Sequence, residues 1–254
     1  MQTGAITQYI DVAQIALYGF WVFFACLVYY LRREDKREGY PLESDRSASV
    51  TVEGWPKMPD PKTFLLRDGS TRVVPRAASH REIAATPSAG FPGAPLEPTG
   101  NPMIDGVGPA SYALREEVPD MTLDGRPKIV PMAVASDFHV GPGDPDPRGM
   151  TVIGADGEAA GVVKELWVDR TEVIIRYLEV EIPSGRRVLL PFFFSTYDVA
   201  KRRVRVASIL ASQFADVPAI AKTDSITFRE EDRIMAYFGS GHLYAKPSRL
   251  GPLV

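Results

Sequence analysis

The chain has 254 residues, and its 29 Lys and Arg against 32 Asp and Glu give a formal net charge of −3. Because the charges nearly balance and no dense basic cluster follows residue 40, the sequence lacks the electrostatic signature of a nucleic-acid-binding protein. The one cysteine, Cys26, excludes an internal disulfide and a cysteine-based metal site.

Residues 12–31 form an uncharged run, VAQIALYGFWVFFACLVYYL, in which Gln14 is the one strongly polar side chain. A helix of this length is about 30 Å long, which matches the hydrocarbon core of a bilayer. A buried helix of a soluble protein is usually shorter and carries a polar stripe. The run therefore predicts one transmembrane helix. It lacks the basic leader and the small-residue cleavage site of a signal peptide, so we expect it to be retained.

The charges that flank this run are asymmetric. Residues 1–11 contain Asp11 and no Lys or Arg, whereas the other flank carries Arg32, Arg33, Lys36 and Arg37. By the positive-inside bias, the C-terminal side of the helix lies in the cytoplasm.

Tyr29 and Tyr30 precede the basic pair Arg32 and Arg33, at the depth where aromatic rings prefer the lipid headgroups. These four residues form the predicted lipid interface. A general interfacial belt and a specific lipid contact both remain open.

Residues 32–127 are rich in Pro and Gly, in phrases such as WPKMPDPKTF and TPSAGFPGAPLEPTGNP. Alternating charges after residue 31 can extend the helix into water, and Gly39 followed by Pro41 is expected to end it. The proline density beyond argues against helices and interior sheet strands. Composition alone suits a flexible linker. Its apolar anchors instead favour irregular chain lying on a partner protein; they are Trp55, Phe64, Leu65, Leu66, Phe91 and Tyr112.

Beyond Lys128 the sequence changes to short runs rich in Val, Ile, Phe and Tyr, separated by Gly-containing turns. These runs cover residues 129–140, 160–169, 172–182, 186–199 and 202–209. Such a series predicts antiparallel strands in a small barrel or sandwich. Residues 230–241, EEDRIMAYFGSG, predict a helix with acidic residues in its first turn and glycine after its last.

The sequence shows no autonomous catalytic site. Its histidines, His80, His139 and His242, are dispersed and have no neighbouring acid at metal-ligand spacing. Residues 106–111, GVGPAS, imitate a dinucleotide-binding loop, but they follow no predicted strand and Pro109 occupies a position that needs a backbone amide.

Phrases along nearly the whole chain, in order, resemble one family. They are FWVFFACLVYYL, REDKREGYPLE at 33–43, PKTFLL at 61–66, GFPGAPLEPTGNPMIDGVGPASYA at 90–113, KIVPM at 128–132 and REEDRIMAYFGSGHLYA at 229–245. The chain resembles the H subunit of the photosynthetic reaction centre of purple bacteria. This resemblance implies a single transmembrane α-helix plus a mainly β cytoplasmic domain, a small PRC-type barrel, with a C-terminal helix.

The resemblance also implies an order of segments in the intracytoplasmic photosynthetic membrane. Residues 1–11 would be periplasmic, 12–31 transmembrane, 32–127 extended over partner subunits, and 128–254 the cytoplasmic PRC-barrel domain.

The implied partners are the L and M subunits, the core light-harvesting antenna ring and membrane lipids including anionic lipid, while a bound cytochrome c subunit stays open. The resemblance implies an accessory subunit that is not an enzyme. Bacteriochlorophyll, bacteriopheophytin, quinones and non-haem iron would be carried by L and M, with no cofactor bound directly by this chain.

In this family the secondary quinone takes up two protons from the cytoplasm at a site buried beneath the H subunit, which requires titratable side chains and ordered water. Burial and neighbouring charge can raise a carboxyl pKa toward the working pH. The implied proton-transfer residues are Glu172, Asp169, Asp124, Arg176, Glu231 and Asp120. Among them Glu172 is the first choice near the quinone, and Asp124 matches the acidic position where protons enter.

One departure from the family bears on proton uptake. Some relatives carry histidines beside the match to Asp124, whereas this chain has Arg126, Pro127 and Lys128, none of which titrates near neutral pH. Uptake through Asp124 and Asp120, or at another point, is therefore expected. Two other functions also fit the sequence: a subunit that only assembles and shields the complex, and a membrane-anchored enzyme unrelated to photosynthesis.

Overall fold

The computed structural model describes residues 4, 6–7, 10–40, 42–44, 47–67, 69–75, 82–91 and 93–250. His80 and Pro41 lie outside these ranges. The chain forms two compact units, one of residues 1–81 with 89–94 and the other of residues 82–88 with 95–254.

The first unit begins with helix α1, Val12–Asp35. Asp11 caps it, because its carboxylate accepts a hydrogen bond from Gln14 N at 2.7 Å and the Gln14 side chain accepts one from Asp11 N at 3.2 Å. The helix is long and apolar enough to cross a bilayer, and none of its residues is buried within the protein. The predicted helix and its extension past residue 31 are confirmed, although it ends at Asp35, before Gly39.

Polar contacts hold the chain that follows α1. The Lys36 ammonium is buried and donates hydrogen bonds to the carbonyls of Glu53 and Pro56. Arg37 pairs with Glu34 at 2.8 Å and donates to the Asp60 carbonyl at 2.6 Å.

The first unit then contains two antiparallel hairpins. Their strands are β1 Leu42–Ser44, β2 Ser47–Val52, β3 Lys62–Leu65 and β4 Thr71–Val74. β1 pairs with β2 and β3 with β4, each in a two-stranded sheet. Every strand here is therefore an edge strand, which agrees with the expectation that this proline-rich stretch forms no interior strands.

The second unit contains a small hairpin, a seven-stranded sheet and two α-helices. The hairpin strands are β5 Ala85–Pro87 and β6 Leu96–Pro98. The sheet strands are β7 Ile129–Pro131, β8 Thr151–Ile153, β9 Ala159–Asp169, β10 Ile174–Glu181, β11 Arg187–Pro191, β12 Ser195–Asp198 and β13 Arg203–Val206. The helices are α2 Pro102–Asp105 and α3 Phe228–Tyr244.

The seven strands follow the spatial order β11, β10, β9, β8, β13, β12, and β7 pairs with the end of β9. All pairs are antiparallel except β8 with β13. The outer strands β11 and β12, both within the described residues, do not pair with each other, so the sheet is an open barrel. Its hydrophobic core includes Trp167, Leu178 and Leu190 of the sheet together with Phe238 of α3. Two carboxylates of the sheet, Asp169 and Glu179, are buried as well.

The predicted fold class is confirmed, with one correction in the proline-rich stretch and three beyond it. Residues 102–105 form the short helix α2 although the proline density argued against helices, because Asn101 caps it and Pro102 lies in its first turn, where proline is tolerated. The three corrections beyond residue 128 concern the strands and α3. Residues 129–140 are a strand only as far as Pro131, where the chain turns as Val134 N donates to the Pro131 carbonyl at 2.9 Å. The predicted strand at 186–199 is broken by a 3-10 helix at Phe192–Phe194.

The third correction concerns the end of α3. Gly239 and Gly241 lie inside this helix rather than after it. Gly241 is needed for packing, because a Cβ there would meet the Ser208 carbonyl oxygen at 2.6 Å. The helix thus approaches the backbone after β13 more closely than any side chain allows.

Candidate functional site

The turn between β9 and β10 is held by a buried carboxylate. Asp169 ends β9 and is fully buried, and its Oδ1 accepts hydrogen bonds from the backbone N–H groups of Thr171 at 2.9 Å and Glu172 at 3.0 Å. Val173 completes the turn with φ 57°, in the left-handed region that β-branched residues rarely adopt. This turn leaves the Glu172 side chain about half exposed, at 50%.

Strand register brings a lysine to the same place. Ile129 of β7 pairs with Asp169 of β9, and Arg170 N donates to the Lys128 carbonyl at 3.0 Å, so Lys128 lies beside the turn. Its Nζ is 3.4 Å from Asp169 Oδ2 and 3.4 Å from Glu172 Oε1.

A third carboxylate reaches the same ammonium from the preceding loop. Lys128 N donates to the Asp120 carbonyl at 2.7 Å, and the Asp120 carboxylate lies 3.6 Å from Lys128 Nζ. The loop is joined to the start of α3 as well, because Phe228 N donates to the Val118 carbonyl at 3.1 Å.

Arg176 extends the site from the turn to α3. Its guanidinium lies 3.7 Å from Glu172 Oε2 and 3.9 Å from Glu231 Oε2. The Tyr177 hydroxyl donates to the same Glu231 oxygen at 3.2 Å. We call the set Asp120, Lys128, Asp169, Glu172, Arg176 and Glu231 the charged network.

Two members of the network, Glu231 and Lys128, have shifted pKa values. Glu231 has only 13% of its side chain exposed, and burial raises its pKa, although the Tyr177 hydroxyl and the Arg176 guanidinium partly oppose the rise. Burial lowers the pKa of Lys128, but Asp169 and Glu172 outweigh it, and the net pKa is raised. The network therefore combines a carboxyl whose pKa moves toward neutral with an ammonium that stays charged.

Asp124 lies apart from this network. It sits at the tip of a turn in which Thr122 N donates to the Arg126 carbonyl at 2.8 Å, and its side chain is exposed. The Thr122 hydroxyl and the Arg126 guanidinium, the latter at 2.6 Å, donate to its carboxylate and lower its pKa. Within the described ranges, no hydrogen bond or ion pair joins Asp124 to the charged network.

Two family models match the chain. Residues 4–134 match the model described as "Photosynthetic reaction centre, H-chain N-terminal region", and residues 143–212 match the PRC-barrel domain. The first match alone covers more than half of the 254 residues. The chain belongs to the reaction-centre H-chain family. The resemblance to the H subunit that the sequence shows is thereby confirmed.

Membership in the H-chain family makes the chain an accessory subunit of a photosynthetic complex. It associates with the L and M subunits, and the pigments of the complex are carried on other subunits. The apolar helix α1 fits a membrane-anchored member of this family. In the part of the chain that the structure describes, no group of three His, Cys, Asp or Glu side chains could hold a metal ion.

The charged network draws on both matched regions of this H chain and on a segment beyond them. Asp120 and Lys128 fall in the N-terminal match, whereas Asp169, Glu172 and Arg176 fall in the PRC-barrel match. Glu231 comes from α3, after both.

Five of the six predicted proton-transfer residues thus meet in one network, and Asp124 does not join it. Sequence reasoning set Lys128 aside because lysine does not titrate near neutral pH, yet its ammonium contacts three of them. The sequence shows that Lys128 directly precedes one predicted strand and that Asp169 ends another, but the pairing of the two strands, which brings them together, is known only from the structure.

An open apolar cleft of about 500 Å³ adjoins the same turn. Its lining includes Met132, Phe138, Val168, Ile175 and Tyr197. Two further lining residues are unusually exposed for apolar side chains, Val173 at 70% and Phe193 at 69%.

The predicted lipid-interface residues lie near the end of α1, in the first unit. The Tyr29 ring lies 5.6 Å from the ring of Trp55, which is 78% exposed, and the Tyr30 ring lies 5.8 Å from Lys62 Nζ. Arg32 donates to the Tyr40 hydroxyl at 3.3 Å, whereas Arg33 is half-buried.

Proposed function

We propose that this H chain stabilises the L and M subunits, shields their quinone sites and conducts protons from the cytoplasm to the secondary quinone. The observation that carries the proposal is the charged network, in which side chains from a surface loop, a hairpin turn and a helix approach one another within 3.9 Å. A proton path needs titratable groups at such spacing, with small side-chain rotations or single water molecules between them.

The carboxylates of this path differ in exposure. Asp120 and Glu172 reach solvent on the isolated chain, whereas Glu231 is largely buried and its pKa is raised by burial. A carboxyl with a raised pKa holds its proton to higher pH than an ordinary carboxyl, which suits a member of a proton relay. Glu172, at the tip of the hairpin turn, remains our first choice for the group nearest the quinone.

The apolar cleft supports the stabilising and shielding roles. Exposed apolar surface beside charged groups is typical of a docking surface. The cleft and the network share the β9–β10 turn: Val173 lines the cleft, and the preceding residue, Glu172, belongs to the network. We propose that this face packs on the cytoplasmic side of the L and M subunits and excludes bulk water from the quinone.

We also propose the membrane topology that the sequence predicts. Residues 1–11 are periplasmic, 12–31 are transmembrane, 32–127 lie on the partner subunits, and 128–254 are cytoplasmic. The pair of Tyr29 and Trp55, with its exposed indole, suits the headgroup level of the bilayer. Arg32 and Arg33 would then attract anionic lipid.

The test is the rate of second-electron transfer to the quinone in purified complexes after two flashes. We expect Glu172→Gln to slow this proton-coupled step by at least about tenfold and to leave primary charge separation unchanged. Asp124→Asn serves as the comparison, because Asp124 lies outside the network and parallel uptake points can replace it. An unaltered second-electron rate in Glu172→Gln would remove this residue from the path.

The same measurement separates proton conduction from a purely structural role. If the chain only assembles and shields the complex, carboxylate substitutions in the network leave quinone kinetics unchanged, whereas loss of the whole chain destabilises the complex.

A further inference from the structure

Lys128 occupies the centre of the charged network. Its ammonium lies within 3.6 Å of carboxylate oxygens from three separate segments: Asp120 of the loop, Asp169 at the end of β9 and Glu172 of the turn. Only 19% of the lysine side chain is exposed. Two of these contacts, to Asp169 and Glu172, are at 3.4 Å.

Asp169 depends on this ammonium for charge compensation. Its Oδ1 is occupied by the two backbone N–H groups of the turn, while no described residue donates a hydrogen bond to its Oδ2. Among the salt bridges of the described chain, Asp169 takes part only in the one with Lys128. Burying a carboxylate without a compensating charge is costly, so removal of the Lys128 ammonium should destabilise the buried Asp169 carboxylate.

Glu172 differs from Asp169 in having a second cation. Arg176 lies 3.7 Å from its other carboxylate oxygen and 3.9 Å from Glu231. Arg170, the other cation near Lys128, donates instead to the Pro127 carbonyl at 3.3 Å. Removing the Lys128 charge would therefore leave one cation, Arg176, between Glu172 and Glu231, and none in contact with Asp169 or Asp120 among the described salt bridges.

We infer that Lys128 is a positioning residue, a fixed positive charge that holds Asp120, Asp169 and Glu172 together and sets the pH range over which they deliver protons. The inference rests on the proposed proton conduction and deepens it. Lys128 itself carries no proton in transit, because its neighbours keep the ammonium charged. It acts on the carboxylates through its position, because a cation within 4 Å of a carboxylate favours the ionised form.

The experiment compares Lys128→Met with Lys128→Arg in assembled complexes, by the pH dependence of second-electron transfer. Loss of the cation removes the one interaction with Lys128 that favours the ionised form of the neighbouring carboxyls. In Lys128→Met we therefore expect the alkaline fall in rate to move up by about one pH unit or more. Lys128→Arg, which keeps the charge, should retain the original profile.

Lys164→Met is the matched control. Lys164 also lies in the β-domain and pairs with a carboxylate, Glu181, at 3.0 Å, but neither belongs to the charged network. We expect its pH profile to equal that of the unchanged complex. A Lys128→Met profile that is lowered by a constant factor at every pH, without a shift, would reduce Lys128 to a structural residue and overturn the inference.

A second variant covers failure of assembly. If Lys128→Met complexes do not form, Lys128→Met combined with Asp169→Asn removes the buried charge together with its counter-ion and should restore assembly; failure to restore it refutes the charge-compensation argument. The two levels of proposal also fail separately. If Glu172→Gln slows the second electron but the Lys128→Met profile is unshifted, only this inference falls; if Glu172→Gln has no effect, the role of Glu172 in the path falls first.

Discussion

Removal of the Tyr177 hydroxyl should change the acid–base behaviour of Glu231. Tyr177 is almost fully buried and donates to Glu231 Oε2 at 3.2 Å. A hydrogen bond to a charged group contributes about 1.5–3 kcal/mol, and one pKa unit corresponds to about 1.4 kcal/mol. Since this bond favours the carboxylate, Tyr177→Phe should raise the pKa of Glu231 by about one to two units above its already raised value.

Light-induced infrared difference spectra of the complex can measure this shift, because protonated carboxyl groups absorb apart from carboxylates. Glu231→Gln identifies the band, and the pH at which the band is half-maximal should rise in Tyr177→Phe. Tyr197→Phe is the matched control, because the Tyr197 hydroxyl is buried without a hydrogen-bond partner among the described residues. A downward shift, or an equal shift in both tyrosine variants, would refute the reasoning.

The same shift has a consequence for stability. A folded-state pKa above the ordinary value of 4.5 means that protonated Glu231 favours folding. This contribution is complete below about pH 4.5 and is lost as the pH rises through the folded-state pKa. Tyr177→Phe should therefore extend the window of this contribution to higher pH.

Two further pairs of variants test packing and docking. Gly241→Ala should lower the free energy of unfolding of the full chain by about 1–3 kcal/mol, because its Cβ would meet the Ser208 carbonyl oxygen at 2.6 Å. Gly239→Ala should raise it by about 0.5–1 kcal/mol, because its Cβ would make only an ordinary contact with the Phe194 ring at 3.8 Å. Denaturant titration checks both signs. Val173→Gly should relieve about 1–2 kcal/mol of strain in the left-handed backbone region. It should also weaken co-purification with L and M, because Val173 lines the proposed docking cleft. Arg202→Gly is the control: Arg202 has φ 50° but lies outside the cleft lining, so this variant should only relieve strain. Unchanged co-purification of Val173→Gly would argue against docking through the cleft.

The fold was largely accessible from local sequence signals. An uncharged run as long as a bilayer is thick, and strands separated by glycine turns, each reflect short-range physics and were found near their observed positions. The errors arose where tertiary packing decides. No local pattern shows that Gly241 lies inside a helix, because the reason is the distant backbone of Ser208.

The site was accessible only in part. The carboxylates followed from the family resemblance, but their grouping depends on register, which pairs Ile129 with Asp169 and so places Lys128 in the network. Lys128 was set aside because an isolated lysine does not titrate near neutral pH. That criterion overlooks a fixed charge that acts on neighbouring carboxylates. The family resemblance alone pointed to Asp124, and the structure shows that the Thr122 hydroxyl and the Arg126 guanidinium donate to its carboxylate and lower its pKa.

The proposed proton path draws its charged groups from several segments of the chain. Asp120 and Lys128 precede the barrel, Glu172 and Arg176 lie on one hairpin, and Glu231 belongs to α3. Fixed cations alternate with carboxylates along this line, so each acidic group is held near a positive charge, and burial raises the pKa of Glu231. If the network conducts protons as proposed, it does so where the loop, the hairpin and the helix meet, because burial disfavours charge at Glu231 while Lys128 and Arg176 favour charge at the carboxylates beside them.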